Sequence, residues 1–133
     1  LIQEASMVGT KMDGGGAVKN FDTIKDDELI LDIGPNTIKK IIKKIDESNT
    51  VLWNGPAGYF ENQNFSNGTI SLANAISNNT VKKSLISVLG GGDTLAAIKK
   101  SKNKLSFTHL STAGGAFLEY LEGKDLPGLS VLK

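Results

Sequence analysis

From Glu28 onward the chain alternates between short apolar runs and amphipathic segments, and a glycine-bearing turn follows each apolar run. Short apolar runs closed by Gly or Pro are typical of buried strands, whereas apolar residues spaced at i, i+3, i+4 and i+7 indicate helices. Regular alternation of the two predicts parallel strands that are connected by covering helices. We therefore predict an α/β fold with a parallel sheet of about four strands and helices on both faces.

The predicted elements follow from this alternation. Strands are predicted at 29–33, 50–53, 84–89 and 106–110. Helices are predicted at 36–46, 67–77, 93–100 and from Gly115 through Glu122, with Asn36 or Thr37 as the first N-cap and Gly123 as a C′ residue. Residues 28–133 thus form one α/β unit. Residues 1–27 form an irregular or edge segment with a glycine-rich loop at 13–16 and short strand-like pieces at 6–8 and 17–18.

Composition excludes several classes of protein. With 133 residues, 39% hydrophobic and 22% charged, the chain has the composition of one soluble globular domain. No apolar run reaches the roughly 20 residues needed to span a bilayer. The absence of cysteine excludes disulfides and thiolate sites, and the net charge of +1 gives no case for a nucleic-acid partner. The first residue is Leu1 rather than Met, which suits either processing or a piece of a longer protein.

The glycine-bearing turns carry the candidate chemistry, because in a parallel sheet they line the edge where open α/β folds bind ligands. In Gly90–Thr94, three glycines precede a helix whose first amides and positive dipole end suit a phosphate. Asp93 is either the N-cap of this helix or a Mg²⁺ ligand. The turn at 111–115 is a second cradle for a transferring group, or else only a tight structural turn.

Other candidates have weaker support. We interpret His109 as structural, because no cysteine or carboxylate pair lies near it in the sequence. The lysine-rich face of the 36–46 helix is interpreted as a solvated crossover rather than a membrane surface. The glycine-rich segment at 13–16 neither follows a convincing strand nor opens a helix, which argues against a phosphate loop. Glu61 is either a solvated loop carboxylate or an acceptor for ribose hydroxyls.

Several motifs, in their order and spacing, closely resemble those of the phosphoglycerate kinase family. They lie at 32–35, 53–61, 90–94, 111–116 and 121–128. The resemblance covers about residues 28–133 and matches the C-terminal part of the family's Rossmann-like nucleotide-binding domain, while residues 1–27 match only loosely. Departures from the family pattern are Tyr59, Ala113 and Phe117, each larger than the residue usual in the family.

The resemblance implies reversible phosphoryl transfer from 1,3-bisphosphoglycerate to ADP, giving 3-phosphoglycerate and ATP in glycolysis. It implies ATP or ADP with Mg²⁺ as cofactors and a monomeric, cytoplasmic parent enzyme with no nucleic-acid or membrane partner. Phosphoglycerate would bind only through the family's N-terminal domain, which these motifs do not include. The chain is therefore expected to carry part of the nucleotide site and to be inactive alone.

The resemblance also implies roles for individual residues. Glu61 resembles the acceptor for ribose hydroxyls, Asn54 lies beside the phosphates, and Pro56 and Gly58 shape the nucleotide side of the cleft. The phosphate and Mg²⁺ segment is formed by Gly91, Gly92, Asp93 and Thr94, with Asp93 as the metal ligand. The residues facing the transferring group are Gly92, Gly114 and Gly115.

These roles are chemically sufficient for such a reaction. The acceptor in the ATP-consuming direction is a carboxylate that is already ionised at neutral pH, so no general base is required. Catalysis then consists of positioning and charge stabilisation, which helix termini, glycines and one magnesium carboxylate can supply.

The competing interpretation is a stand-alone anion-binding α/β module without catalysis. This module would need the sheet edge formed by the 29–33 strand to be covered, either by residues 1–25 or by a second copy of the chain. An edge that is covered within a monomer, rather than left open to a partner, would favour this interpretation.

Overall fold

The structure is a computed structural model that describes residues 5–101 and 103–132. The strands are β1 (Ala5–Gly9), β2 (Ala17–Asn20), β3 (Leu29–Ile33), β4 (Thr50–Asn54), β5 (Ile86–Gly90) and β6 (His109–Ser111). The helices are α1 (Pro35–Asp46), α2 (Asn67–Lys83), α3 (Gly92–Lys99), α4 (Gly115–Leu121) and α5 (Pro127–Ser130). Among these residues, no helix combines the length and apolar character that crossing a bilayer requires.

The strands form two sheets rather than one. β4, β5 and β6 are parallel and lie in that order, whereas β1 lies between β2 and β3 and is antiparallel to both. The predicted α/β class with a helix-flanked parallel sheet is confirmed. The predicted count of about four parallel strands is wrong for the described residues, because the 29–33 strand pairs with β1. Local periodicity identifies an apolar strand but does not choose its partner.

The pairing of β3 also bears on the competing interpretation, in which the covered edge of this strand would indicate a stand-alone module. Residues of the 1–25 segment do cover one edge of β3, but they do so in the antiparallel sheet. The edges of the parallel sheet are β4 and β6 instead. Coverage of β3 therefore does not distinguish a stand-alone module from part of an enzyme.

Each of the four predicted helices differs from the prediction at one or both ends, and two of these differences have a local cause. α1 begins at Pro35 with Gly34 as its N-cap, so neither Asn36 nor Thr37 caps it. Proline suits this first position because its fixed φ is helical and its missing N–H needs no partner. α2 continues past residue 77 to Lys83, because Asn79 and Thr80 donate to the Ala75 and Ile76 carbonyls and so satisfy their own polar groups along the helix.

The start of the last parallel strand also differs. β6 begins at His109, not at residue 106. Upstream of it, side chains replace the strand ladder: the Ser106 amide donates to Ser77 Oγ at 2.9 Å, and the Thr108 amide donates to Ser87 Oγ at 3.0 Å. Ser87 is fully buried, so these bonds satisfy polar groups inside the core.

The hydrophobic core lies between α1, α2 and one face of the parallel sheet. Its buried members are Ile45, Leu72, Ile76, Leu85 and Leu89. α1 contributes one isoleucine face to this core and exposes the lysines at 39, 40, 43 and 44. On the opposite face of the sheet, Leu52 and Ile86 are about half exposed.

A buried carboxylate joins the antiparallel sheet to α2. Asp32 on β3 is 3% exposed, and its Oδ2 accepts a hydrogen bond from the Gly68 amide of α2 at 2.8 Å. Burial raises the pKa of Asp32 above its ordinary value, and backbone hydrogen bonds from Gly68 and Ile33 act against that rise. Asp32 therefore binds its proton at higher pH in the folded chain than in the unfolded chain.

Truncation of a core side chain tests the position of the core. Ile76→Ala should lower the free energy of unfolding by about 2–5 kcal/mol, because Ile76 is 2% exposed and its loss leaves a cavity. Val81→Ala is the control, since Val81 on the same helix is 68% exposed and should change stability by about 0.5 kcal/mol or less. Equal effects of the two substitutions in urea denaturation would contradict the core assignment.

The raised pKa of Asp32 predicts a pH dependence of stability. Between the ordinary value of 3.8 and the higher folded pKa, the unfolded chain binds fewer protons, so the contribution of Asp32 to the free energy of unfolding falls as pH rises. Urea denaturation should show this fall in the difference between the natural chain and Asp32→Asn.

Glu47 provides a control of opposite sign. A hydrogen bond from Lys44 lowers the pKa of Glu47, so its contribution is lost as pH falls through the folded pKa. The difference between the natural chain and Glu47→Gln should therefore rise with pH. A rising difference for Asp32→Asn would show that the Asp32 pKa is not raised.

Candidate functional site

The carboxyl ends of the three parallel strands lie in one row. Asn54 pairs with Gly90, and Gly90 pairs with Ser111 on the next strand. The turns that follow these residues therefore leave the sheet at the same edge, where the α/β architecture places ligands. Parallel pairing thus brings together three segments that are distant in the sequence.

Within this row, Asn54, Gly91 and Gly114 form a close contact that we call the glycine cluster. A Cβ built on Gly91 would lie 2.6 Å from Asn54 Oδ1, and one built on Gly114 would lie 3.5 Å from Gly91 Cα. Gly91 also has φ of +92°, which side chains rarely adopt. Glycine is therefore required at Gly91 both for its conformation and for the approach of Asn54.

Two helices begin beside the glycine cluster. α3 starts at Gly92 with Gly91 as N-cap, and α4 starts at Gly115 with Gly114 as N-cap. Neither N-cap supplies a side-chain acceptor, and nothing lies within 4 Å of a Cβ built on Gly92 or Gly115. The first-turn amides have no partner within their own helices, and backbone donors of this kind suit an anion.

Asp93 lies in the first turn of α3 and is exposed. Its N-cap interpretation is wrong, because Gly91 occupies that position. The described residues contain no group of three or more His, Cys, Asp or Glu that could hold a metal ion. Mg²⁺ is commonly held by one or two carboxylates together with phosphate oxygens and waters, so a single carboxylate at this helix start fits a magnesium nucleotide.

Thr94 holds the turn after β4. The side chain is fully buried, and its Oγ1 accepts a hydrogen bond from the Gly55 amide at 2.7 Å. Gly55 has φ of +89°, so the turn needs glycine there as well. A hydroxyl on α3 thus fixes the turn after β4, a role that the sequence pattern did not indicate because the two residues are far apart along the chain.

Pro56 and Gly58 border a cavity of about 350 Å³ next to β3. The Ala57 and Gly58 amides donate to Thr69 Oγ1, at 3.0 and 3.3 Å, and the Tyr59 amide donates to the Leu31 carbonyl at 2.7 Å. These bonds fix the loop after β4. The remaining walls of the cavity come from Met12, Ile30, Leu31, Asp32, Ile33, Ala57 and Tyr59. Met12 belongs to the 1–27 segment, and no sequence signal indicated its presence here.

The glycine-rich segment at 13–16 lies in the connection between β1 and β2. Asn62 Nδ2 donates to the Met12 and Gly14 carbonyls at 2.7 and 2.9 Å, which ties this connection to the loop after β4. The segment does not open a helix. Its backbone carbonyls are hydrogen-bond acceptors for Asn62 rather than part of an anion cradle.

Glu61 and His109 do not join the glycine cluster through any described contact. Glu61 is exposed in the loop after β4, with no ion pair to a described residue. His109 is exposed at the start of β6, two positions before the strand end at Ser111. The sequence predicted that the turns holding Asn54, Gly91 and Gly114 share one edge of the sheet, and the structure brings these residues into contact. The position of Glu61 depends instead on the path of an irregular loop.

The departures from the family pattern are accommodated. Phe117 Cδ1 would lie 3.3 Å from a Cβ on Gly90, so a side chain at Gly90 would crowd the Phe117 ring. The Ala113 amide donates to Ser111 Oγ at 3.2 Å within its own turn. Tyr59 lines the cavity beside Pro56. None of the three fills the open space at Gly92 or Gly115.

Comparison with known proteins gives consistent matches. The family model described as phosphoglycerate kinase matches residues 2–124. A phosphoglycerate kinase of Francisella philomiragia subsp. philomiragia is 51% identical over 116 residues, which are 87% of this chain and 29% of that protein. One of Bradyrhizobium diazoefficiens is 48% identical over 113 residues, 85% of this chain and 28% of that protein. The chain thus spans about a third of the length of these relatives.

Solved structures agree with these matches. The phosphoglycerate kinase of Coxiella burnetii superposes with a TM-score of 0.86 at 41% identity, over 100% of this chain and 34% of that one. The enzyme of Pyrococcus horikoshii OT3 gives a TM-score of 0.80 at 31% identity, over 97% of this chain and 31% of that one. Because the family model covers most of the chain and the fold agrees, the chain belongs to the phosphoglycerate kinase family.

Proposed function

We propose that this chain supplies part of the magnesium-nucleotide site of a phosphoglycerate kinase. The reaction is reversible phosphoryl transfer from 1,3-bisphosphoglycerate to ADP, giving 3-phosphoglycerate and ATP in glycolysis. The observation that carries the proposal is the glycine cluster, in which Asn54, Gly91 and Gly114 meet beside the N-termini of α3 and α4.

The phosphates would lie along the start of α3. The amides of Gly92, Asp93 and Thr94 donate to phosphate oxygens, and the positive end of the helix dipole favours their charge. Asp93 holds Mg²⁺ through its exposed carboxylate, and Asn54 lies beside the phosphates. Mg²⁺, when bound, neutralises charge on the phosphate oxygens.

The transferring group faces Gly92, Gly114 and Gly115. Its charge is spread over several oxygens, so donors from two backbone segments stabilise it better than one. No side chain here needs to act as a base, because the acceptor carboxylate is already ionised. The contribution of these residues is to bind and orient the group.

The nucleoside would extend from the glycine cluster toward the cavity at Pro56 and Gly58. The cavity is largely apolar along Met12, Ile30 and Tyr59, which suits a planar base. The exposed carboxylate of Glu61 accepts hydrogen bonds from the ribose hydroxyls. Phosphoglycerate binds to the family's N-terminal domain rather than to these residues, and the whole enzyme is monomeric and cytoplasmic.

Lack of activity is the first expected outcome. The 133-residue polypeptide should show no sustained turnover with 3-phosphoglycerate and Mg-ATP, because the residues proposed for the nucleotide site include no basic group that would bind phosphoglycerate. A coupled spectrophotometric assay measures this, with a complete phosphoglycerate kinase as positive control. Turnover that persists after repurification of the polypeptide would contradict the proposal.

Weak but localised binding of nucleotide is the second expected outcome. Because the chain supplies only part of the pocket, Kd for Mg-ADP should be about 1 mM or weaker. In ¹H–¹⁵N spectra, Mg-ADP should shift the amides of Gly58, Gly92, Asp93 and Thr94. Tight binding in calorimetry, or shifts elsewhere only, would contradict the site. Equal shifts from inorganic phosphate, with none at Gly58, would favour the stand-alone anion-binding module.

Substitution of Gly91 tests the glycine cluster. Gly91→Ala should cost about 1–3 kcal/mol of stability through its positive φ and should also displace Asn54 and abolish the Mg-ADP shifts. Gly123→Ala is the matched control, since φ is +80° there and nothing lies within 4 Å of the new Cβ. Retained Mg-ADP shifts in Gly91→Ala would show that the cluster does not form the site.

A further inference from the structure

Apart from bordering the cavity through Asp32 and Ile33, the Asp32–Pro35 motif has no part in the proposed function, yet Asp32 is buried against two backbone amides. Its Oδ2 accepts from the Gly68 amide at 2.8 Å and its Oδ1 from the Ile33 amide at 2.8 Å. Gly68 lies in the first turn of α2, where amides have no partner within the helix. The carboxylate therefore caps α2 from a strand that lies 36 residues earlier in the sequence.

Two glycines make room for this carboxylate. A Cβ built on Gly58 or on Gly68 would overlap with Asp32 Oδ1. Gly58 belongs to the loop after β4, and Gly68 belongs to α2. The carboxylate thus fills the space between the loop and the helix, and neither glycine can carry a side chain without displacing it.

The same strand and helix hold the loop directly. The Leu31 carbonyl, next to Asp32 on β3, accepts from the Tyr59 amide at 2.7 Å. Thr69, next to Gly68 on α2, accepts from the Ala57 and Gly58 amides. Three consecutive loop amides are therefore bound to β3 and α2, and the bond from Gly68 to Asp32 fixes these two elements to each other.

We propose that Asp32 is a positioning residue of the nucleotide site, which acts by locking β3 to α2 so that Pro56 and Gly58 keep their place beside the cavity. This inference rests on the proposed function, because the position of the loop affects nucleotide binding only if the nucleotide binds beside this cavity. It assigns the motif a role at the site without contact to the transferring group.

The test compares Asp32→Asn with a matched control. Asparagine keeps the shape of the side chain, but it has one acceptor oxygen in place of two and adds an amino group that faces backbone donors. Ser87→Ala is the control, because Ser87 is also fully buried and hydrogen-bonded, through Thr80 and Thr108, but does not contact the loop. Both variants should lose stability.

Amide hydrogen exchange separates positioning from general destabilisation. In Asp32→Asn, exchange at Gly58, Tyr59 and Gly68 should accelerate about tenfold beyond any change at the β5 amides. In Ser87→Ala, these three amides should change only as much as β5 does. A uniform change in Asp32→Asn would overturn the proposal, because it would show a structural role alone.

Nucleotide titration of the same samples supplies the second measurement. In Asp32→Asn, Mg-ADP should still shift Gly92, Asp93 and Thr94 but should lose its effect on Gly58. Retained shifts at Gly58 would overturn the proposal. If Mg-ADP shifts no amide of the natural chain, the proposed function fails, whereas the exchange result still decides whether Asp32 holds the loop.

If Asp32→Asn does not fold, hydrogen exchange of the natural chain tests the same proposal. Exchange measured in increasing urea should show Gly58, Tyr59 and Gly68 opening together, at a lower free energy than the β5 amides. If the Gly68 amide and the loop amides became open to exchange at different urea concentrations, the proposal that Asp32 holds them together would be contradicted.

Discussion

The site depends on the parallel register of β4, β5 and β6. With Asn54, Gly90 and Ser111 as neighbours across the sheet, the three following turns leave from one row. A shift of one residue in this register would reverse the faces of the side chains and separate the turns. The buried side chains of Leu85 and Leu89 on the core face oppose such a shift, because it would expose them to water.

Buried polar side chains then position the turns. Thr94 fixes the turn after β4, Thr69 fixes the loop that continues from it, and Asp32 fixes the helix that carries Thr69. Each of these groups is nearly inaccessible to solvent, so breaking one bond would leave a buried donor or acceptor unsatisfied. A site made mostly of glycine backbone has few side chains of its own to fix its shape. The buried side chains of Thr94, Thr69 and Asp32 therefore hold the turns in place.

Local pattern predicted much of this arrangement. The spacing of isoleucines at 38, 41, 42 and 45 predicted α1, and the glycine turns at strand ends predicted that the segments after β4, β5 and β6 would lie along one edge. Local pattern predicted the wrong start for β6, because hydrogen bonds to side chains replace strand pairing at Ser106 and Thr108. It also placed β3 in the wrong sheet, because an apolar run of this kind fits either a parallel or an antiparallel sheet.

By itself, the sequence determined the α/β class, the edge that carries the glycine turns and the membership of the phosphoglycerate kinase family, because periodicity and motif spacing are properties of neighbouring residues. Only the tertiary structure decided that β3 joins β1, that Met12 borders the cavity beside Pro56, and that Asp32 reaches Gly68. These contacts join residues far apart in the chain, which no local pattern relates, and the bond from Gly68 to Asp32 forms because a buried polar group must find a partner wherever the fold places it.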